Sequence, residues 1–186
     1  TSYLMKHILR AYEMRNRYQD SAVKLLYEGL QQSRQQGFVH GEISALICLG
    51  NIFSGMGRYQ ASLKYYGEGV ARAAASEHMA GQLPVLYNNI ANVLRFTGRY
   101  EQALKYYYRA IAAVRHDPGH IPKSQLYGNL ASLLQLSGQQ QRGFYYLDIA
   151  EQAAVKEENY YILGGVLINK GVYYAHEGGW DTSEAY

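Results

Sequence analysis

Side chains that offer hydrogen bonds recur in pairs at fixed distances from a set of glycines. Nine and six residues ahead of Gly57 stand Cys48 and Asn51. Asn89 and Asn92 hold the same places ahead of Gly98, Asn129 and Ser132 ahead of Gly138, and Asn169 and Val172 ahead of Gly178. On a helix, a spacing of three keeps each pair on one stripe. An asparagine presents both a donor and an acceptor, so a row of them can satisfy the backbone of an extended peptide whatever its side chains are. Asn88, Arg95, Phe96, Gln125, Gln135, Leu136, Ile168 and His176 fall at nearby offsets and would add amides, apolar contacts and single charges to that row. A second use competes with this one, because the same amides could tie one helix to the next.

Other chemistry finds little footing. His7, His40, His78, His116, His120 and His176 are dispersed, and none pairs with Cys, Asp or Glu at the interval of a helical metal site. No Ser/His/Asp or Cys/His set has supporting local context. Gly67-Glu68-Gly69 lacks the following glycine or lysine of a phosphate loop. The reading is therefore no catalytic residue, no metal, no cofactor and no enzyme. A net charge of +3 comes from interspersed signs without a dense basic tract, so neither nucleic acid nor a membrane surface is an expected partner. Among 20 tyrosines, the runs Tyr65-Tyr66, Tyr106-Tyr107-Tyr108 and Tyr145-Tyr146 could be imagined as stacking platforms. Helical spacing puts Tyr66 and Tyr107 at packing positions instead, and the runs read as helix seams.

The elements that must carry the amide row are themselves periodic. Gly57-Arg58-Tyr59, Gly98-Arg99-Tyr100 and Gly138-Gln139-Gln140 open copies of one pattern, and Gly178-Gly179-Trp180 begins another. Ahead of the glycines, Leu46, Leu49, Gly50 and Phe53 correspond to Tyr87, Ile90, Ala91 and Leu94, to Tyr127, Leu130, Ala131 and Leu134, and to Leu167, Lys170, Gly171 and Tyr174. These offsets cluster on one side of a helix and predict its packing face. After the glycines, Ser62, Tyr66 and Gly69 correspond to Ala103, Tyr107 and Ala110, then to Gly143, Leu147 and Ala150. Upstream, Tyr18, Ala22, Leu26 and Gly29 match the same second-helix pattern, with the stretch from Tyr3 to Met14 as its first helix. Each glycine stands where one helix must end and the chain turn back, a place for positive φ. Gln35-Gln36-Gly37, Ala75-Ser76-Glu77-His78, Asp117-Pro118-Gly119-His120 and Glu157-Glu158-Asn159 read as tight connections between hairpins.

Leu46-x2-Leu49-Gly50-x2-Phe53 followed by Ser62-x3-Tyr66-x2-Gly69 resembles the tetratricopeptide repeat. The glycines stand 41, 40 and 40 residues apart. The usual unit has about 34 residues, and the proline that commonly closes it is absent here. Longer units of this type look like those of polarity and motor adaptor proteins and of bacterial signalling regulators. The resemblance implies an all-α, right-handed α-solenoid of antiparallel helix-turn-helix repeats, with the amide stripe on its inner, concave wall. Units would run roughly 1–38, 39–78, 79–118, 119–158 and 159–186, the last truncated, as one array. The start lacks the features of a secretory signal and does not begin with Met, which reads as a piece of a longer protein. A single cysteine, Cys48, and no glycosylation sequon point to a reducing, cytoplasmic setting.

The functional expectation is a protein-interaction module that takes a peptide or partner protein in its groove, as the sensing or scaffolding segment of a larger signalling or transcription-regulatory protein. Its binding residues would be Asn51, Asn88, Asn89, Asn92, Arg95, Phe96, Gln125, Asn129, Ser132, Gln135 and Asn169. The alternative is a structural module that self-associates as a homodimer or spaces attached domains.

Overall fold

The computed structural model describes residues 2–114 and 121–176. Among these residues the chain is built of helices without a strand, in the all-α helical-repeat class the offsets predict. It forms two compact units, Thr1–Val93 and Leu94–Tyr186.

The first unit holds α1 (Ser2–Glu13), α2 (Gln19–Gln35), α3 (Val39–Gly55), α4 (Tyr59–Ala74), a 3-10 segment (Glu77–Gln82) and most of α5 (Leu83–Phe96). Leu4, Ile8, Ala22, Leu26, Leu46, Leu49 and Phe53 form its core, each at a position that helical period places inward. Each large aliphatic side chain so buried contributes about 1.5–3 kcal/mol. Small residues set how closely the helices approach. A Cβ on Gly50 would lie 2.3 Å from the Tyr66 ring, and one on Gly69 would lie 2.8 Å from Leu86. Ser62 fits beside them by donating its hydroxyl to the Gly50 carbonyl at 2.8 Å. Tyr18, matched above to the packing pattern, is instead 54% exposed, because it sits outside α2 at its N-cap.

The second unit contains α6 (Tyr100–Val114), α7 (Lys123–Leu136), α8 (Gln140–Lys156) and α9 (Tyr160–His176). Ala131, Leu147, Ala150 and Val166 are buried there, with Tyr127, Phe144, Tyr146 and Ile162 packed around them. Lys170 occupies an offset filled elsewhere by Leu49, Ile90 and Leu130, and it too is buried, at 5% exposure. Its ammonium is held by Asp148 at 2.8 Å and Glu151 at 2.7 Å, both from α8. Burial alone would lower its pKa, but the two carboxylates outweigh it and hold the amine charged. This pairing and the Phe144–Tyr173 ring contact, 4.4 Å between centroids, fix α9 against α8.

The turn glycines behave as the repeat demands. Gly57, Gly98 and Gly138 have φ of 70°, 73° and 79°. After each, an amide reaches five residues back, from Arg58 to Phe53, Arg99 to Leu94 and Gln139 to Leu134, at 2.8–2.9 Å. That bond closes the helix end in the Schellman manner. α7 starts differently. Pro122 offers no side-chain cap, and the carboxylate of Glu157, at the end of α8, accepts from the Lys123 amide at 2.9 Å and the Ser124 hydroxyl at 2.5 Å. The Asp117-Pro118-Gly119-His120 connection and the copy beginning at Gly178 lie outside the described residues.

Candidate functional site

In the first unit the amides of the stripe are spent on one another. Asn51 of α3 donates to the Tyr12 hydroxyl of α1 at 3.1 Å. Its carbonyl oxygen accepts from the Tyr66 hydroxyl of α4 at 2.5 Å and from the Asn89 amide of α5 at 3.3 Å. Asn88 is 2% exposed and donates to Asn89 at 3.4 Å, so it does not stand on a wall open to a partner. Asn92 is half-buried and likewise engaged. Burial pushes the Tyr66 phenol well above its ordinary range, which keeps the hydroxyl protonated as the donor to Asn51. Cys48, the stripe partner of Asn51, is buried, and its thiol is pushed up to about 12 by burial against the opposing pull of Arg15. That thiol is unreactive at neutral pH.

The second unit keeps its stripe open. Between α7 and α9 runs a groove of about 550 Å³, and Gln125, Asn129, Ser132 and Asn169 all line it. Ser132 turns its hydroxyl back to the Gly128 carbonyl at 3.0 Å, and Asn129 has a partner of its own. The physical cause of the difference stands one helix away. Nine residues after the turn glycine the first copy has Tyr66, whose hydroxyl reaches the stripe, while the same offset in the third copy is Leu147, which has none. Leu147 is fully buried and brings no hydroxyl to the stripe.

Of the rest of the wall, Ile168 was among the nearby offsets of the amide pattern, while Tyr161 and the glycines were missed. Tyr161, 90% exposed, and Ile168, 69% exposed, flank Gly164 and Gly165 on α9, with Gly128 opposite on α7. Tandem glycines inside an otherwise helical pattern are the signal that could have found them. Val172 continues the exposed stripe at 51%.

Arg95, Phe96 and Gln135, also expected at the site, lie outside this groove. Phe96 is 61% exposed with the Arg95 guanidinium 4.6 Å above its ring. Burial pushes the Tyr107 phenol up to about 12, and Arg95 nearby partly offsets this. Gln135 is half-buried and packs towards α8, where its Cγ would lie 2.7 Å from a Cβ on Gly143. His176 ends α9, and its side chain lies outside the described residues.

The tyrosine runs divide. Tyr66 and Tyr107 are buried as expected, at 2% and 0% exposure. Tyr108 and Tyr145 are exposed and, with Tyr127, Tyr146 and Ile111, line a second cavity of about 360 Å³. Tyr127 and Tyr146 stack there at 6.2 Å, and Arg142 donates to the Tyr108 hydroxyl at 2.9 Å. Among the described residues no cluster of His, Cys, Asp and Glu is placed to hold a metal ion, and no helix is long and apolar enough to cross a membrane.

Comparison with known proteins follows the same lines. Residues 82–143 match the tetratricopeptide repeat family model. No curated protein sequence matches the chain. Among solved structures, the apo form of RapI superposes with a TM-score of 0.81 at 14% identity, covering 97% of this chain and 50% of RapI. NprR in complex with its cognate peptide NprX gives 0.73 at 18% identity, over 94% of this chain and 51% of NprR. A putative kinesin light chain of Podosopora anserina with nearly identical TPR-like repeats gives 0.72 at 15% identity, over 96% and 90% of the two chains. Residues 82–143 thus match the tetratricopeptide repeat, and along nearly its whole length the chain shares the all-α helical-repeat fold of proteins with TPR-like repeats.

Proposed function

We propose that the chain is a protein-interaction module whose α7–α9 groove takes an extended segment of a partner. The observation that carries this reading is the convergence of Gln125, Asn129, Ser132 and Asn169 on one open groove of about 550 Å³. The side chains of Gln125 and Asn169 are half-buried, so their amides are held in place yet reachable. Facing amides of this kind supply both donors and acceptors to a peptide backbone, while Tyr161 and Ile168 supply apolar contact. Two structures of the same fold support it: NprR was solved with its peptide NprX, and a Rap conjugation regulator of plasmid pLS20 with the Phr* peptide. Because this chain covers only about half of each of those, it serves in our reading as the sensing or scaffolding segment of a larger regulatory protein.

The test is a peptide array of random nonapeptides, probed with the wild-type chain and with the Gln125→Ala/Asn169→Ala double variant. Two lost hydrogen bonds at about 0.5–1.5 kcal/mol each predict a weakening of roughly tenfold in Kd, with the circular dichroism spectrum unchanged. Equal binding by a folded double variant overturns the reading. So does a wild-type chain that binds no peptide but dimerises in light scattering, which favours the self-association alternative through the exposed Tyr161, Ile168 and Val172 stripe.

A further inference from the structure

Four tyrosines line the cavity of about 360 Å³ in the second unit: Tyr108 of α6, Tyr127 of α7, and Tyr145 and Tyr146 of α8. Ile111, Ala112 and Ile149 complete the lining, and none of these side chains is charged. The same places in the first unit stand 81 residues earlier, as Leu46 stands to Tyr127 and Tyr66 to Leu147. There Lys64 takes the place of Tyr145, and Glu68 that of Ile149. Glu68 is paired with Arg34 of α2 at 3.0 Å, and the Tyr27 and Tyr65 hydroxyls share a hydrogen bond, so α2 and α4 are joined directly. In the second unit the acid of that pair has become isoleucine, and the lysine near it tyrosine. Charge at the helix surface is exchanged for rings, and Tyr145 is 61% exposed. An exposed ring forgoes the burial that would offset its apolar surface.

The rings are set in a fixed arrangement. Tyr127 and Tyr146 stack, and Tyr145 stands edge-on to Tyr146 at 5.4 Å and 76°. Arg142 donates to the Tyr108 hydroxyl at 2.9 Å and also bonds Gln139, which holds Tyr108 in place and leaves it its own O–H to donate. Burial, with the Tyr108 phenol beside it, pushes the Tyr146 phenol above its ordinary value, so it too keeps its proton at neutral pH. The result is a floor of ring faces with hydroxyl donors at the rim.

We propose that this cavity is a second docking site, which takes a proline-rich segment of a partner in the polyproline II conformation. The two sides are chemically complementary. Such a segment has no N–H at its prolines and carries its carbonyls without internal partners, so it needs donors, and the rim supplies hydroxyls. Its pyrrolidine rings are apolar faces suited to aromatic-lined slots. Its three-residue turn returns every third ring to the same edge, about 9 Å further along. The segment is ordered before it docks, so binding costs little chain entropy. An ordinary extended peptide would bring N–H groups that need acceptors, and among the described residues no carboxylate or carboxamide lines the cavity. A cationic side chain would meet the rings, but also the Arg142 guanidinium and no counter-charge in the lining. The site shares no residue with the α7–α9 groove.

The test is fluorescence anisotropy of labelled, amidated decaproline with the whole chain. Binding is expected, and Tyr145→Ala is expected to weaken it by at least about tenfold. Because Tyr145 is exposed, the variant should keep the wild-type circular dichroism spectrum and melting temperature. Tyr108→Phe keeps the ring and removes the hydroxyl; it should weaken binding by about threefold to tenfold, in line with one lost hydrogen bond, and it carries the test should Tyr145→Ala unfold. A role confined to packing would move the melting temperature and leave decaproline binding alone. Gln125→Ala/Asn169→Ala should bind decaproline as the wild type does, so this site and the groove stand or fall separately. No binding at about 1 mM chain, or unchanged binding by a folded Tyr145→Ala variant, overturns the proposal. Equal affinity for a serine-glycine peptide of the same length overturns it as well. So does oligothymidylate bound more tightly than decaproline with the same dependence on Tyr145, which would make the cavity a base-stacking site.

Discussion

The first unit and the second carry the same stripe at the same offsets from the same turn glycines, and they use it in opposite ways. In the first, Tyr12, Asn51, Tyr66 and Asn89 close a hydrogen-bonded knot that joins α1, α3, α4 and α5. In the second, Gln125, Asn129, Ser132 and Asn169 border an open groove. Offset decides which face a residue occupies. Whether that face is available depends on what the neighbouring helix brings to it, and a single exchange of tyrosine for leucine between Tyr66 and Leu147 removes the hydroxyl that would consume it. Gly50 and Gly69 of the first unit let helices touch, while a Cβ on Gly164 of α9 meets nothing within 4 Å among the described residues.

The sharpest way to break this contrast is to add one methyl group in each unit. Gly50→Ala drives a Cβ to 2.3 Å from the Tyr66 ring. Overpacking of this kind costs about 1–3 kcal/mol, and the expected result in urea unfolding is a loss near the top of that range. Gly164→Ala should act in the opposite sense. A similar loss from both would mean that the two units do not differ in the way described.

Next in size comes the knot itself. Asn51→Ala removes the acceptor of Tyr66 and the partner of Tyr12 and leaves them part-buried and unsatisfied, at a cost of about 1–3 kcal/mol. Asn169→Ala, on the groove wall, should stay within about 0.5 kcal/mol. Paired denaturation curves of the two variants check this. Near-equal losses would show that the groove amides are structural ties as well.

The smallest effect is electrostatic and is confined to the first unit. Glu42 of α3 is buried between Arg34 of α2, at 3.0 Å, and Arg72 of α4, at 2.8 Å. Burial pushes its carboxyl up, but the two guanidinium groups outweigh burial and hold it below the ordinary carboxylate value. A carboxyl lowered in the folded state stabilises the fold above its unfolded pKa, and that contribution fades as pH falls through the lowered value. Both arginines are partly exposed, so the contribution is at most about 1 kcal/mol. Glu42→Gln should flatten the fall in melting temperature between about pH 5 and 3. An unchanged slope would assign the acid sensitivity elsewhere.

Much of this was legible in the amino-acid order because it is local. The αL turns at Gly57, Gly98 and Gly138 and the buried faces around Leu46, Leu49 and Leu130 follow from period and glycine chemistry within a few residues. The fate of the amides is not local. Asn51 is claimed by Tyr12, thirty-nine residues before it, and by Tyr66, fifteen after, so its use depends on three helices meeting. The buried Lys170 is the same kind of case, since its polar end is accounted for only once Asp148 and Glu151 of α8 stand beside it.

The clip between Glu157 and the first residues of α7 has a consequence for how this chain can vary. The opening amide and hydroxyl of α7 are satisfied by a carboxylate 33 or 34 positions downstream, so the start of that helix depends on the residue that ends the next one. A change at Glu157 would therefore be felt at the end of α8 and at the start of α7 at once.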